Sequence, residues 1–395
     1  MEYIRSQCRL LKERMEEPRK FMQVLAGPRQ VGKSTLIRQA LREVTMPYTI
    51  EDADKVDPQD TDWIGRVWES VRTTMTLRKE EEHLLVIDEI QKINNWSEAV
   101  KKEWDEDTYN GINIKVVLLG SSRLLLKKGL TESLAGRFEL IRLGHWHFEE
   151  MRDAFGFTLD EYVYFGGYPG PAHLIKEEKR WKKYIKDSLV APAIEKDVIM
   201  TSNIYKPVLM KQLFELGCKY SAEMLSLTKM LGLLQDAGNA TTLANYLEIL
   251  NQCHLLTALQ KYARDDARKY KSIPKYQVYN NALMTAYKGR SFETTRIDPN
   301  AWGRWVESAV GTHLLSMAEE LEYKVYYWRD GDNEVDFIVE SDDACIAIEV
   351  KSGRRGMNSG LPKFAEKFTP KRSFVVGSHG VKLEDFLTYH LDELL

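Results

Sequence analysis

Gly27-Pro28-Arg29-Gln30-Val31-Gly32-Lys33-Ser34-Thr35 decides how this chain is read. The stretch fits the spacing G-x-x-x-x-G-K-[ST]. It follows the apolar run FMQVLAG (21–27) and opens a helical pattern over 33–43. Strand, loop and helix in that order are the context the pattern needs. Gly27 and Gly32 let backbone N–H groups curl around a phosphate, and the start of the helix adds its positive end. Lys33 reaches the β- and γ-phosphates of a triphosphate, and Ser34 holds Mg²⁺. Gln30, Val31 and Thr35 complete the candidate binding set.

Two further apolar runs lie downstream. HLLVIDE (83–89) reads as a buried strand ending in an acidic pair. Asp88 would hold Mg²⁺ through water, and Glu89 would polarise the attacking water. IKVVLLGSS (114–122) reads as another buried strand. At its end Ser121 or Ser122 either senses the γ-phosphate or simply caps the next helix. This alternation of strands and helices predicts a parallel sheet flanked by helices.

With these motifs in place the sequence resembles prokaryotic AAA+ P-loop ATPases of the archaeal or STAND-like kind. The resemblance rests on GPRQVGKST (27–35), VIDEIQ (86–91) and SLAGR (133–137), and extends through YFGGYP (164–169). It implies ATP and Mg²⁺ as cofactors. It also implies Ser121 or Ser122 as sensor and Arg137 as an arginine finger or nucleotide-sensing arginine. Where relatives carry a proline-containing segment, this chain has LGHWHFEE (143–150). His145 and His147 would share a strand face there, a spacing read as a packed or solvated pair rather than a metal site.

The 395 residues predict two to three domains. Hydrophobic residues at 43% and charged residues at 29% exclude a wholly disordered chain. No run approaches the roughly 18–20 apolar residues needed to span a bilayer, so no membrane partner is expected. The charged start carries no secretory pattern, and four scattered cysteines form no CxxC pair. A cytoplasmic location is the expectation. A net charge of −3 gives no global basic field for nucleic acid.

We expect an AAA+ core over 1–150, a helical lid over 151–205 and a winged-helix-like segment over 206–262. Ser221 and Thr241 or Thr242 are expected N-caps in the third of these. Its second helix, LANYLEILNQC (243–253), offers Asn245, Asn251 and Gln252 to a groove. It has no Lys or Arg and carries Glu248, which is poor equipment for a polyanion. Residues 263–395 read as a long helix, three strands joined by DGDN and SDD turns, a helix and a strand. Alternation along EVDFIVE and ACIAIEVK brings Asp336 near Glu349 and Lys351 in a hairpin, with Glu307 on the flank of the preceding helix.

That set resembles the core of PD-(D/E)XK nucleases, nearest the resolvase-like branch, although Val335 stands where the name has proline. The resemblance implies Mg²⁺ held by Asp336 and Glu349 with help from Glu307, and water oriented by Lys351. The fold class expected is therefore α/β: an AAA+ parallel-sheet module, lid and winged-helix-like segment, then a restriction-endonuclease-like domain. Two functions stay open. One is an ATPase whose nucleotide state controls a nuclease acting on DNA or other nucleic acid. The other is an NTP-driven switch that binds a protein or another macromolecule and does not cut. A nucleotide-dependent homo-oligomer fits either.

Overall fold

The computed structural model describes every residue except 1–2, 121–132, 200–203, 236–237, 266–271, 343, 354–359, 390 and 392–393, and only the backbone of 196 and 197. The chain forms two compact units, Met1–Leu143 and Gly144–Leu395. No helix among the described residues is long and apolar enough to cross a membrane.

The first unit is built on five parallel strands: β1 (Met22–Ala26), β2 (Tyr48–Asp52), β3 (His83–Asp88), β4 (Ile114–Gly120) and β5 (Phe138–Arg142). Their order is β2-β3-β4-β1-β5. Helices α1 (Ser6–Glu16) and α2 (Lys33–Leu41) pack on one face through Leu11, Leu36, Ile37, Val86 and Leu119. Helices α3 (Trp63–Arg78) and α4 (Trp96–Asn110) pack on the other through Trp68, Val71, Trp104, Leu85 and Leu118. A sheet covered on both faces has no polar side, which is why β3 and β4 are apolar over 84–87 and 116–119. All seven residues of β4 are buried. The edge strands β2 and β5 were not expected. β2 alternates exposed and half-buried residues, and β5 is mostly half-buried, so neither carries an apolar run.

The second unit opens with α5 (Phe148–Phe155), α6 (Leu159–Phe165) and α7 (Glu178–Tyr184). Then come α8 (Pro207–Lys219), β6 (Glu223–Met224), α9 (Leu227–Leu233), α10 (Ala240–Gln252), β7 (Leu256–Leu259) and β8 (Lys275–Val278). These three strands make a small antiparallel sheet in the order β6-β8-β7. The N-caps differ from those expected. Ser226 caps α9 by accepting from the Lys229 N–H, and Asn239 caps α10 by accepting from Thr242 N–H. Ser221 is instead buried against Ser308, 2.9 Å between hydroxyls.

Helices α11 (Asn281–Lys288) and α12 (Phe292–Arg296) lead to the long α13 (Pro299–Glu320), capped by Asp298. After it come β9 (Lys324–Asp330), β10 (Asn333–Glu340), β11 (Cys345–Lys351), α14 (Leu361–Phe368), β12 (Arg372–Gly377) and α15 (Leu383–Leu387). The sheet order is β12-β11-β10-β9, antiparallel except for the parallel pair β11 and β12. The sequence marks α13 as a helix with one apolar stripe. In the structure it is buried almost all round between Trp305 and Ala318, because it packs on β9–β11 and also on β8, α6 and α11.

Candidate nucleotide site and carboxylate cluster

The phosphate loop joins β1 to α2 at the C-terminal edge of the sheet. Gly32 adopts φ 98°, a conformation open to glycine, and starts α2 without any side-chain cap. The first N–H groups of that helix therefore lack acceptors within it, the arrangement that attracts an anion. Gln30 also takes a left-handed φ of 60°. Gly27 has a different need. A Cβ there would lie 2.1 Å from the Leu143 carbonyl oxygen, just beyond the end of β5. Gly27→Ala must push β1 and β5 apart. We expect it to fold less stably and to weaken ATP binding at least tenfold, measured by calorimetry; unchanged affinity would show that the loop tolerates the shift.

Lys33 is buried at 6% exposure, and its ammonium donates to the Gly27 and Pro28 carbonyls at 2.9 and 2.8 Å. It thus lies across the loop, held by acceptors that phosphate oxygens would replace. Val31 is fully buried in the core beneath α1 and α2, so it shapes the loop from below. Ser34 and Thr35 face outward.

The Ser34 hydroxyl donates to Asp88 Oδ2 at 2.7 Å. This contact joins the loop to the end of β3 across 54 residues. Burial pushes the Asp88 carboxyl above its ordinary range, and the Ser34 hydroxyl opposes that rise. Glu89 follows in a left-handed conformation, φ 53°, which costs about 1–3 kcal/mol in a residue with a side chain. Its carboxylate accepts from Gln91 Nε2 at 2.7 Å. Gln91 was missed as a positioning residue, although it stands in the VIDEIQ stretch. A serine hydroxyl beside an aspartate is an oxygen donor set suited to Mg²⁺.

Ser121 and Ser122 lie outside the described residues. Arg137 is described, and it is not brought to the loop. It precedes β5 at the edge where Met22 pairs with Phe138, whereas the loop leaves the edge where Ala26 pairs with Arg142. Five residues at about 3.3 Å each put roughly 17 Å between the two levels. Arg137 grips Asp105 of α4 with two nitrogens, at 2.7 and 3.0 Å. The arginine at the loop's own edge is Arg142.

Residues 19–152 match a family model described as an AAA domain. The N-terminal part of the chain is thus similar to AAA domains. Beyond it, residues 156–294 match a domain of unknown function, DUF8612, and residues 302–387 match another, DUF4143. No curated protein matches the chain. Among solved structures, one titled "Structural Basis for Katanin Self-Assembly" is 21% identical over 39% of this chain and 50% of that one, with a TM-score of 0.27. This chain thus spans half the length of that one, and a superposition so loose says nothing of function.

In the second unit, the sequence-indicated residues do converge. Register places Phe337 opposite Ile348, and Asp336 Oδ2 accepts the Val350 N–H at 2.7 Å. Lys351 Nζ pairs with Glu349 at 2.6 Å, and Glu349 is 3% exposed. Glu307 arrives from α13. A residue that sequence reasoning missed stands among them: Lys275, the first residue of β8, with a 1% exposed side chain. Its ammonium lies 2.5 Å from Glu307 Oε1, 3.6 Å from Asp336 Oδ1 and 3.9 Å from Glu334 Oε1. Burial alone would lower the Lys275 pKa, but these three carboxylates outweigh it and hold the ammonium charged. Burial pushes the Glu307 carboxyl up, with Asp336 and Glu334 adding to the rise against the pull of Lys275. Among the described residues, no group of three His, Cys, Asp or Glu side chains is arranged to hold a metal ion. Lys275 instead places an ammonium between Glu307 and Asp336, two of the acids that the nuclease resemblance assigned to a divalent ion.

The two histidines of LGHWHFEE are packed. His145 meets the edge of Tyr168 and the amide of Asn280, and His147 caps α5 through Glu150 and meets His313.

Proposed function

We propose that this chain is an ATP-hydrolysing AAA+ protein working as a nucleotide-driven switch, with a nuclease-like second unit that does not cut. The contact between Ser34 and Asp88, 2.7 Å apart, carries the ATPase reading. In this reading Lys33 leaves the loop carbonyls for the β- and γ-phosphates. Ser34 and Asp88 would hold Mg²⁺, which would neutralise phosphate charge. Glu89, steadied by Gln91, takes the proton side of the attacking water. Arg137 faces away from its own loop, so a finger role belongs to a neighbouring copy and requires release from Asp105.

The order α13-β9-β10-β11-α14-β12, with Glu307, Asp336, Glu349 and Lys351 together, supports a nuclease-like fold. Lys275 among those acids favours the non-cutting reading. So does α10, where Asn251 accepts from the Tyr279 hydroxyl at 2.7 Å and Gln252 donates to Glu248 at 2.8 Å. Two of the three side chains that could read bases are already engaged, and the helix has no cation for phosphates. A protein partner fits this equipment better than DNA.

Calorimetry with ATP and Mg²⁺ should find one site per chain, and plasmid or branched DNA should stay intact with Mg²⁺ or Mn²⁺. Absence of nucleotide binding would overturn the ATPase reading. Cleavage that disappears in Asp336→Ala would restore the nuclease.

A further inference from the structure

We infer that Lys275 is the resident cation of the second unit's acidic cluster, standing between Glu307 and Asp336, where a divalent ion shared by those two carboxylates would sit. The cluster gains such an ion only when the ammonium is removed. The binding claim stands on geometry alone; its consequence for cutting rests on the nuclease-like reading above.

The contacts come from three elements. Pro274 precedes Lys275, and the four residues of β8 are all buried, so the stem is fixed from its base. The ammonium reaches Glu307 on α13 at 2.5 Å, and the Asp336 carbonyl of β10 at 3.3 Å. It also lies 4.8 Å from the centre of the Phe337 ring. A hard cation such as Mg²⁺ binds oxygen at about 2.0–2.1 Å. An ion shared by Glu307 Oε1 and Asp336 Oδ1 would fall on the space the ammonium fills. The two positive charges would also repel, and beside a lysine side chain that is 1% exposed screening is weak.

Lys275 is also distinct from the lysine that the nuclease resemblance singled out. Lys351 lies on β11 and pairs with Glu349. Thus, among the described residues, two ammoniums serve the four acids Glu307, Glu334, Asp336 and Glu349, and the Arg329 guanidinium lies 4.0 Å from Glu334. A charge tethered to the chain cannot be removed by chelators or dilution, so it holds α13, β8 and β10 together under all metal conditions. Its role is that of a structural ion supplied by the sequence itself.

The test uses nucleotide-free full-length protein and Mn²⁺ as probe, followed by calorimetry and paramagnetic resonance. Wild type and Asp336→Asn should bind Mn²⁺ alike, since Asp336 holds no ion while Lys275 is present. Lys275→Ala should gain one Mn²⁺ site over wild type, and saturating Mn²⁺ should raise its melting temperature by roughly 5 °C more than wild type's. Adding Asp336→Asn should abolish that gain. A wild-type site lost in Asp336→Asn overturns the inference, and so does a folded Lys275→Ala that gains nothing. If Lys275→Ala does not fold, the wild-type comparison still decides. Mn²⁺ binding by Lys275→Ala without DNA cleavage would uphold the tethered cation and count against the nuclease-like chemistry.

Discussion

Lys33→Ala is expected to lose ATP binding, whereas Glu89→Gln should bind ATP normally and hydrolyse it at least about 10²-fold more slowly. The two residues act at different stages. Lys33 is the cation at the mouth of the loop, and its ammonium is held by the Gly27 and Pro28 carbonyls. Truncation removes the charge and leaves the loop carbonyls facing an incoming polyanion. Glu89 stands after the strand, turned by its left-handed backbone and tied to Gln91. Glutamine keeps that size and the hydrogen bonding but cannot accept a proton. Calorimetry and phosphate release measured on the same preparations separate the stages. Equal turnover in Glu89→Gln and wild type would move the base elsewhere; retained affinity in Lys33→Ala would mean the loop is not the nucleotide site.

The second large effect concerns stability. Arg72 of α3 donates to Asp107 at 2.8 Å, to Glu103 at 2.8 Å and to the Glu103 carbonyl at 3.2 Å. Asp107 is completely buried and also accepts from Trp68 Nε1 at 2.9 Å. These bonds fasten α3 to α4 on one face of the parallel sheet. Arg72→Met would strand a buried carboxylate, a loss of about 3–5 kcal/mol. Thermal or denaturant unfolding should show it, and replacing Asp107 by Leu as well should recover much of it. Burial already pushes the Asp107 carboxyl above its ordinary range, with Arg72 opposing. Without Arg72 the folded-state pKa rises further. A raised acid pKa means the folded form holds its proton more tightly, so the group's destabilisation is full above that pKa. The variant's deficit should therefore shrink as pH falls through it. A deficit that is small at neutral pH, or constant with pH, would show that water reaches Asp107.

The sheet order and the two edge strands illustrate what local sequence conveys. β3 and β4 are legible because burial on both faces demands continuous apolar residues. β2 was missed because an edge strand needs no such run: Tyr48 and Ile50 are exposed. The same blindness concealed Arg142, whose place beside the loop depends on β5 pairing with β1. Conversely Arg137, marked by its SLAGR setting, lies at the far edge of the same strand.

By itself the sequence determined the phosphate loop, the acidic pair after the third strand and the order of helices and strands around Glu307, Asp336, Glu349 and Lys351. Each depends on backbone conformation or side-chain alternation over a few consecutive residues, and such preferences act before the chain folds. Only the tertiary structure decided that Ser34 meets Asp88, that Arg137 serves Asp105, and that Lys275 enters an acidic cluster from a strand 32 residues before Glu307 and 61 before Asp336. Those meetings are set by strand register and helix packing between distant segments, where burial makes a single charge consequential and no short stretch of sequence records it.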